Sequence, residues 1–285
     1  MKSTVVVKYT GSSGNEYNLK TRGLVRIKTA NFHDYQWSMD TTKQQYGVTV
    51  DRFRRDPITY QTLLVLEGTY EANKRLLEDL HADFERDILN NSPGKLTWGD
   101  YSIDTFAYAS STEPGKTEPE VNNTVKFYCP YPFWTQEKKI SIFPHNPEVL
   151  DSDKKYDYQY RYSYVGLLEQ RAYLDTKHYA ESDFRMVAYG PFSVLDVTIS
   201  GNKYRIEYPA SAGEAMIIDT RRNGQLKGRA YLQRQGNQEI NVFDYRAPQY
   251  QIFKKIPPGM VTIDYSREHG IDLSVFLERS EPIWN

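Results

Sequence analysis

Few side chains in this sequence stand at spacings that support catalysis. Gly115-Lys116-Thr117 ends like a phosphate-binding loop, but the first glycine of that motif belongs at position 110, where Ser110 stands. Glu118-Pro119 then disfavours the helix whose N-terminus would hold the phosphate. Gly11-Ser12-Ser13-Gly14 is one residue short of a nucleophile elbow and reads as a turn. Five histidines (33, 81, 145, 178 and 269) are scattered, without the helical i,i+4 pairing of a zinc motif. Cys129 has no histidine beside it and reads as a buried, inert thiol. A pair of carboxylates about 5–9 Å apart would suffice to hydrolyse a glycan, yet no pair stands out among the 37 Asp and Glu residues. The expectation is no catalytic residue, no metal ligand, no cofactor and no enzymatic activity.

Two groups could recognise rather than react. Tyr156, Tyr158, Tyr160, Tyr162 and Tyr164 recur at period two, so in a strand all five rings share one face. Such a stripe can stack on sugars or on a neighbouring protein; packing on the protein's own core is its commoner use. Arg52, Arg54 and Arg55 form a basic cluster that touches an acidic partner or lies on a solvated hairpin face.

The whole chain bounds what these groups can serve. At 285 residues it has room for two domains, each able to bury a core. Lys and Arg number 36 against the 37 acids, so no general basic excess serves nucleic acid or an anionic membrane. No apolar run reaches the ~18 residues of a membrane span, and Met1–Lys8 is too short in apolar residues for a signal peptide. With one cysteine there is no internal disulfide, which suits assembly in a reducing cytoplasm. Twenty-four tyrosines, 14 prolines and 17 glycines indicate sheets joined by many turns.

Strands are expected at Val5–Tyr9, Leu24–Ile27, Val48–Phe53 and Thr62–Leu66. From about Tyr70 to Leu89 the period changes: Leu76, Leu77, Leu80, Phe84 and Ile88 fall on one helical face, to lie across a sheet. Lys95–Trp98 and Tyr101–Tyr108 form a hairpin, Ser110–Glu120 a polar loop, and Thr124–Cys129 a closing strand. Beyond it the chain is expected to be all β, with strands at Phe192–Ser200, Lys203–Tyr208, Ala215–Asp219, Gly228–Leu232, Glu239–Phe243, Met260–Tyr265 and Asp272–Glu278. The break between domains falls at the Phe127–Trp134 segment, Phe-Tyr-Cys-Pro-Tyr-Pro-Phe-Trp, where two prolines end the strand. This places one domain at 1–134, with the helix at about 70–89, and a second at 135–285.

That aromatic-proline closure resembles the end of the N-terminal domain in the distal tail (Dit) proteins of long-tailed phages. The second half carries a similar series in order: Gly201-Asn202-Lys203-Tyr204, Gly213–Asp219, Ile256-Pro257-Pro258-Gly259 and Glu281-Pro282-Ile283-Trp284. The resemblance implies a tail-tube-like β-sandwich or barrel that forms a ring, followed by a galectin-like, carbohydrate-binding-module-like β-sandwich. It implies a structural virion protein at the tail tip or baseplate. A ring of six copies would join the tail tube protein to the tail hub, mount receptor-binding proteins and leave a channel for DNA. Duplex DNA carries a charge about every 1.7 Å, so such an outlet should be neutral or acidic and should not bind it. The tyrosine stripe and the stretch Asn146–Lys155 have no counterpart in the family pattern. Two rival classes stand beside this one: a carbohydrate-binding adhesion protein that recognises host cell-wall glycans through the tyrosine stripe, and a glycoside hydrolase.

Overall fold

A computed structural model of the chain describes residues 5–19, 25–115, 119–143, 171–223, 226–234, 236–265 and 269–283. The fold is mostly β with a single α-helix among the described residues, and the chain divides into two compact units. One is Met1–Gln136 together with Glu278–Asn285; the other is Glu137–Leu277. Sequence reading assigned the C-terminal segment to the second domain, whereas here it lies with the first unit. Tyr131 donates to Glu278 at 2.8 Å, and Pro282 of the same segment is buried.

The first unit contains β1 (Val7–Thr10), β2 (Glu16–Asn18), β3 (Val25–Ala30), β4 (Ser38–Lys43), β5 (Val48–Arg54) and β6 (Ile58–Leu66). Helix α1 (Tyr70–Leu89) follows, then β7 (Gly94–Trp98), β8 (Tyr101–Pro114), β9 (Val121–Cys129) and the start of β10 (Trp134–Ile142). The long strand β8 pairs with three strands, meeting β10 only at Tyr101 and Ser102. Its first half pairs with β7, which continues to β1 and β2; its second half pairs with β9, which continues to β6 and β3. A register shift between Ala107 and Ala109 lies where the second ladder begins, as a bulge that bends a strand would. Tyr9, Tyr60, Leu64, Leu96, Val125, Phe127 and Trp134 form the core and are fully buried.

Helix α1 starts at Thr69, whose side chain accepts from the Ala72 N–H, a standard N-cap. Leu80 and Phe84 are buried, and Phe84 meets Tyr9 edge-on at 4.9 Å and Phe127 at 5.9 Å. Each such side chain stabilises the unit by roughly 1.5–3 kcal/mol. Ile88 does not join them; it is 44% exposed. The buried face runs through Asn73, Leu80, Asp83, Phe84 and Asp87, which centres it near Leu80 and Asp87 and leaves Ile88 at its edge, about a quarter turn round the helix.

The expected polar loop at Ser110–Glu120 is also corrected. Strand β8 continues to Pro114 and pairs with β9 out to Pro114 opposite Val121. Polar side chains bond across this arm: buried Asn123 donates its amide to Ser110 at 2.8 Å and to Thr112 at 2.7 Å.

The second unit is a two-sheet β-sandwich. It contains β11 (Arg171–Asp175), β12 (Asp183–Tyr189), β13 (Leu195–Ile199), β14 (Asn202–Ile206), β15 (Ala215–Asn223), β16 (Leu226–Gln233), β17 (Glu239–Asn241), β18 (Met260–Tyr265) and β19 (Ile271–Arg279). One sheet has the order β11-β18-β13-β14, the other β19-β12-β15-β16-β17, and the pairs are antiparallel. Alternate residues point inward, as Phe184, Met186 and Ala188 do on β12. They meet Val197, Tyr204, Ile206, Val261 and Ile263 from the other sheet in one apolar cluster.

Candidate functional site

The most unusual surface in the first unit is the ribbon β4–β5. It pairs with no third strand among the described residues, and every residue of β5 is exposed. Its register fixes which side chains share a face. Met39 stands opposite Phe53, Thr41 opposite Val50 and Lys43 opposite Val48, while Asp40 faces Arg52 and Thr42 faces Thr49. A bulge between Asp40 and Thr41 absorbs Asp51 and keeps the alternation in phase. The ribbon is therefore amphipathic. One face carries Met39 (57% exposed), Val48 (59%), Val50 (42%) and Phe53 (59%); the other carries Asp40, Thr42, Thr49 and Arg52. The Gln44–Gly47 turn at the tip, with Gly47 at φ +80, holds Tyr46 almost wholly in solvent. An isolated two-stranded ribbon is marginal in water, so four bare apolar side chains on one face suit a surface that a partner covers.

The arginine cluster does not form one patch. Arg52 pairs with Asp40 at 2.6 Å, and Arg54 reaches Asp40 at 3.2 Å and Asp56 at 3.4 Å. The Arg52 hydrogen bond, with Arg54 close by, holds the Asp40 carboxyl below its usual range. Arg55 leaves the ribbon altogether. It donates to the Pro132 carbonyl at 2.9 Å, and its guanidinium lies 5.3–5.6 Å from the rings of Tyr35, Trp37 and Phe133. Arg55 thus fastens the aromatic-proline closure to the end of β5.

The carboxylate pair that sequence reading did not single out is Asp83 and Asp87, one turn apart on the buried face of α1. Asp83 accepts from Ser13 at 3.0 Å, Asn15 at 2.9 Å, Tyr17 at 2.6 Å and Arg86. Asp87 accepts from the Ser12 N–H at 2.9 Å and from the Tyr9 hydroxyl. Burial alone would raise the Asp83 pKa; the bonds from Tyr17, Asn15 and Ser13, with Arg86, outweigh it and hold it low. All four carboxylate oxygens are committed to the protein's own donors. The pair clamps the Gly11–Asn15 turn to the helix and has no room for a general acid or base. Gly94 is bare for the same reason, since a Cβ there would meet Tyr9 Oη and Asp87 Oδ2.

The remaining chemical candidates lie apart. Cys129 is buried, and burial pushes its thiol up to about 12. His81 bonds Ser110 at 3.0 Å, His178 meets the Tyr179 ring edge-on at 4.4 Å, and His269 lies 4.7 Å from the Phe192 ring. Among the described residues no three His, Cys, Asp or Glu side chains converge as a metal would require, and no helix is long and apolar enough to cross a membrane. His145 and the stripe Tyr156, Tyr158, Tyr160, Tyr162 and Tyr164 lie outside the described residues. Sequence reading missed the ribbon's apolar face. Its signal was the alternation of Val48 and Val50 beside a Tyr-Gly turn.

No protein-family model matches the chain, and no curated protein matches it in sequence. Solved structures do. A chain of the phage P2 baseplate in its activated conformation with calcium aligns over 98% of this chain and 100% of its own, with a TM-score of 0.63 and 15% identity. The strontium form of the phage p2 baseplate gives the same TM-score at 14% identity and the same coverage. The SPP1 Dit protein, described as a paradigm of the hub adsorption apparatus in phages that infect Gram-positive bacteria, aligns over 97% of this chain and 99% of its own, with a TM-score of 0.60 and 9% identity. At such identities the likeness lies in the fold, and over nearly its whole length this chain has the fold of phage baseplate and Dit proteins.

Proposed function

We propose that the chain is a structural, non-enzymatic component of a phage tail tip or baseplate. Head-to-tail copies form a ring that joins the end of the tail tube to the tail hub. The first unit closes the ring and lines a neutral or acidic channel for DNA; the second mounts receptor-binding proteins. The number six comes from the family resemblance.

Full-length likeness to baseplate chains supports this reading, and the observation that carries it is the ribbon. A heterologous contact needs a surface on one copy that another copy covers, and repetition closes when the rotation permits. The amphipathic β4–β5 ribbon offers that surface, with Met39, Val48, Val50 and Phe53 bare in the single chain. The charges of its opposite face are paired internally, Arg52 with Asp40 and Arg54 with Asp40 and Asp56, so contact through the bare face would be apolar rather than charge-steered.

Negative-stain electron microscopy with mass photometry on the same sample tests the proposal. Rings of six, single or stacked in pairs, are the expected result. A clean monomer at high concentration, with the tail tube protein and the hub protein each added in turn, would overturn it.

A further inference from the structure

In the second unit, the outward face of the β19-β12-β15-β16-β17 sheet holds a cleft of about 380 Å³, within the size range of small-molecule sites. Its register leaves the guanidinium of Arg185 without an acid of its own. Arg185 on β12 stands across from Asp219 on β15 and Ser274 on β19. Asp219 could answer it, but is taken by Arg221, which donates Nη2 to Oδ2 at 2.7 Å, Nε to Oδ1 at 3.0 Å and its backbone N–H to Oδ1 at 3.1 Å. A second acid on this side, Asp272, is taken by Lys139 at 3.0 Å and by the Tyr189 hydroxyl at 3.0 Å, and a third, Glu137, lines the cleft without bonding the Arg185 Nε. Arg185 Nε is left buried without a hydrogen-bond partner. A guanidinium so placed is built to receive two oxygens in a fork.

The rest of the cleft narrows what carries those oxygens. Acceptors and donors both line it, Glu137 and Asp272 together with Lys139 and Arg185. Such an array matches ring hydroxyls, each of which donates and accepts. Its apolar floor is already closed: Ile217 is buried, and the Phe276 ring lies under Arg221 at 4.2 Å. A protein partner would look for an open apolar pocket for an aromatic anchor, and this floor has none. The Asp272 carboxylate is kept ionised as an acceptor: burial acts to raise its pKa, and bonds from Ser141, Lys139 and Tyr189 outweigh that.

We propose that this cleft binds a carboxylate-bearing saccharide, with Arg185 holding the carboxylate and Glu137, Lys139 and Asp272 exchanging hydrogen bonds with the ring hydroxyls. The proposed contacts use none of the stripe tyrosines and require no ring assembly.

The test is saturation-transfer NMR on the full chain with glucuronate, galacturonate, mannuronate and N-acetylneuraminate, and with galactose, acetate and N-acetylglutamate amide as controls. At least one acidic sugar should bind saturably, at least tenfold more tightly than galactose and acetate. Arg185→Met should abolish that binding and Arg185→Lys should weaken it, both with the melting temperature unchanged or raised, because the native Nε has no partner to lose. Failure of every acidic sugar, or binding unaffected by Arg185→Met, would overturn the proposal. So would acetate or N-acetylglutamate amide binding as tightly as the sugars, which would reassign the cleft to a simple anion or a protein carboxylate. Rings in the micrograph with no sugar bound would sink this inference and leave the tail-tip reading standing.

Discussion

Helix α1 and the ribbon β4–β5 lie in the same unit and use their side chains in opposite ways. On the helix even the charged groups of the inner face are spent internally, Asp83 holding the Gly11–Asn15 turn through Ser13 and Asn15 and Asp87 through the Ser12 N–H. On the ribbon even apolar groups are left in solvent, with Phe53 and Val48 each 59% exposed. A polar side chain is therefore a poor guide to exposure here, and an apolar one a poor guide to burial. What separates the two is whether the partner belongs to the same chain. The helix serves the stability of the unit; the ribbon is proposed to serve its association.

The sharpest way to break that division is Leu80→Asp. Leu80 is 2% exposed, and a carboxylate there would face Phe84 and the sheet without a donor. Loss of about 4 kcal/mol or more is expected, enough to unfold the unit; cooperative unfolding near the wild-type temperature would show that the helix is not packed as described. Asp87→Ala should come next. It leaves the buried Tyr9 hydroxyl and the Ser12 N–H without their acceptor, at a cost of about 2–3 kcal/mol. Chemical denaturation measures it, and a loss under about 0.5 kcal/mol would show the clamp to be dispensable.

The double variant Met39→Ser/Phe53→Ser probes the other side. Both residues stand in solvent on one face of the ribbon, so the monomer should change by no more than about 0.5 kcal/mol. Mass photometry should nonetheless show that rings are lost. A fall in melting temperature comparable to that of Asp87→Ala would mean that the ribbon packs within its own chain, and the contrast with the helix would collapse.

What could be read from the sequence follows the same division. The helix was visible because Leu76, Leu77, Leu80 and Phe84 recur at its period; Asp83 and Asp87 stayed hidden because a carboxylate on a helix ordinarily signals a solvated face. Strand β5 was legible from its valines, but β4 was not, since Ser-Met-Asp-Thr-Thr-Lys has one apolar residue and gains its pairing from the turn and from β5. The β8–β9 arm read as a loop because its residues are polar: exposed Ser110 and Thr112 accept from buried Asn123, and no apolar alternation marks the arm. Strand β12 was overlooked although Phe184, Met186 and Ala188 alternate cleanly. In the cleft, Arg185 could not be singled out, because its lack of a partner depends on Arg221 having taken Asp219. That depends on competition between neighbours, which a sequence does not display.

The smallest expected effect separates the regions by pH. His33 and His81 both lie in the first unit outside the ribbon, and burial lowers the pKa of each from 6.5. Between the lowered folded values and 6.5 the unfolded chain binds protons that the folded chain refuses, so folding weakens as the pH falls through that interval. Above 6.5 both histidines are neutral in either state and the contribution is complete. The ribbon, residues 38–54, has no histidine, and its Asp40 is held below the usual carboxylate range, so Asp40 keeps its charge over the same interval. The melting temperature of the first unit should therefore drop modestly from pH 7.5 to 5.5, while ring assembly through the ribbon keeps its strength until the unit itself unfolds. His33→Gln and His81→Gln should each flatten part of the slope. Rings that dissociate in this interval with the melting temperature unchanged would place a titrating group in the contact itself, and the ribbon as described supplies none.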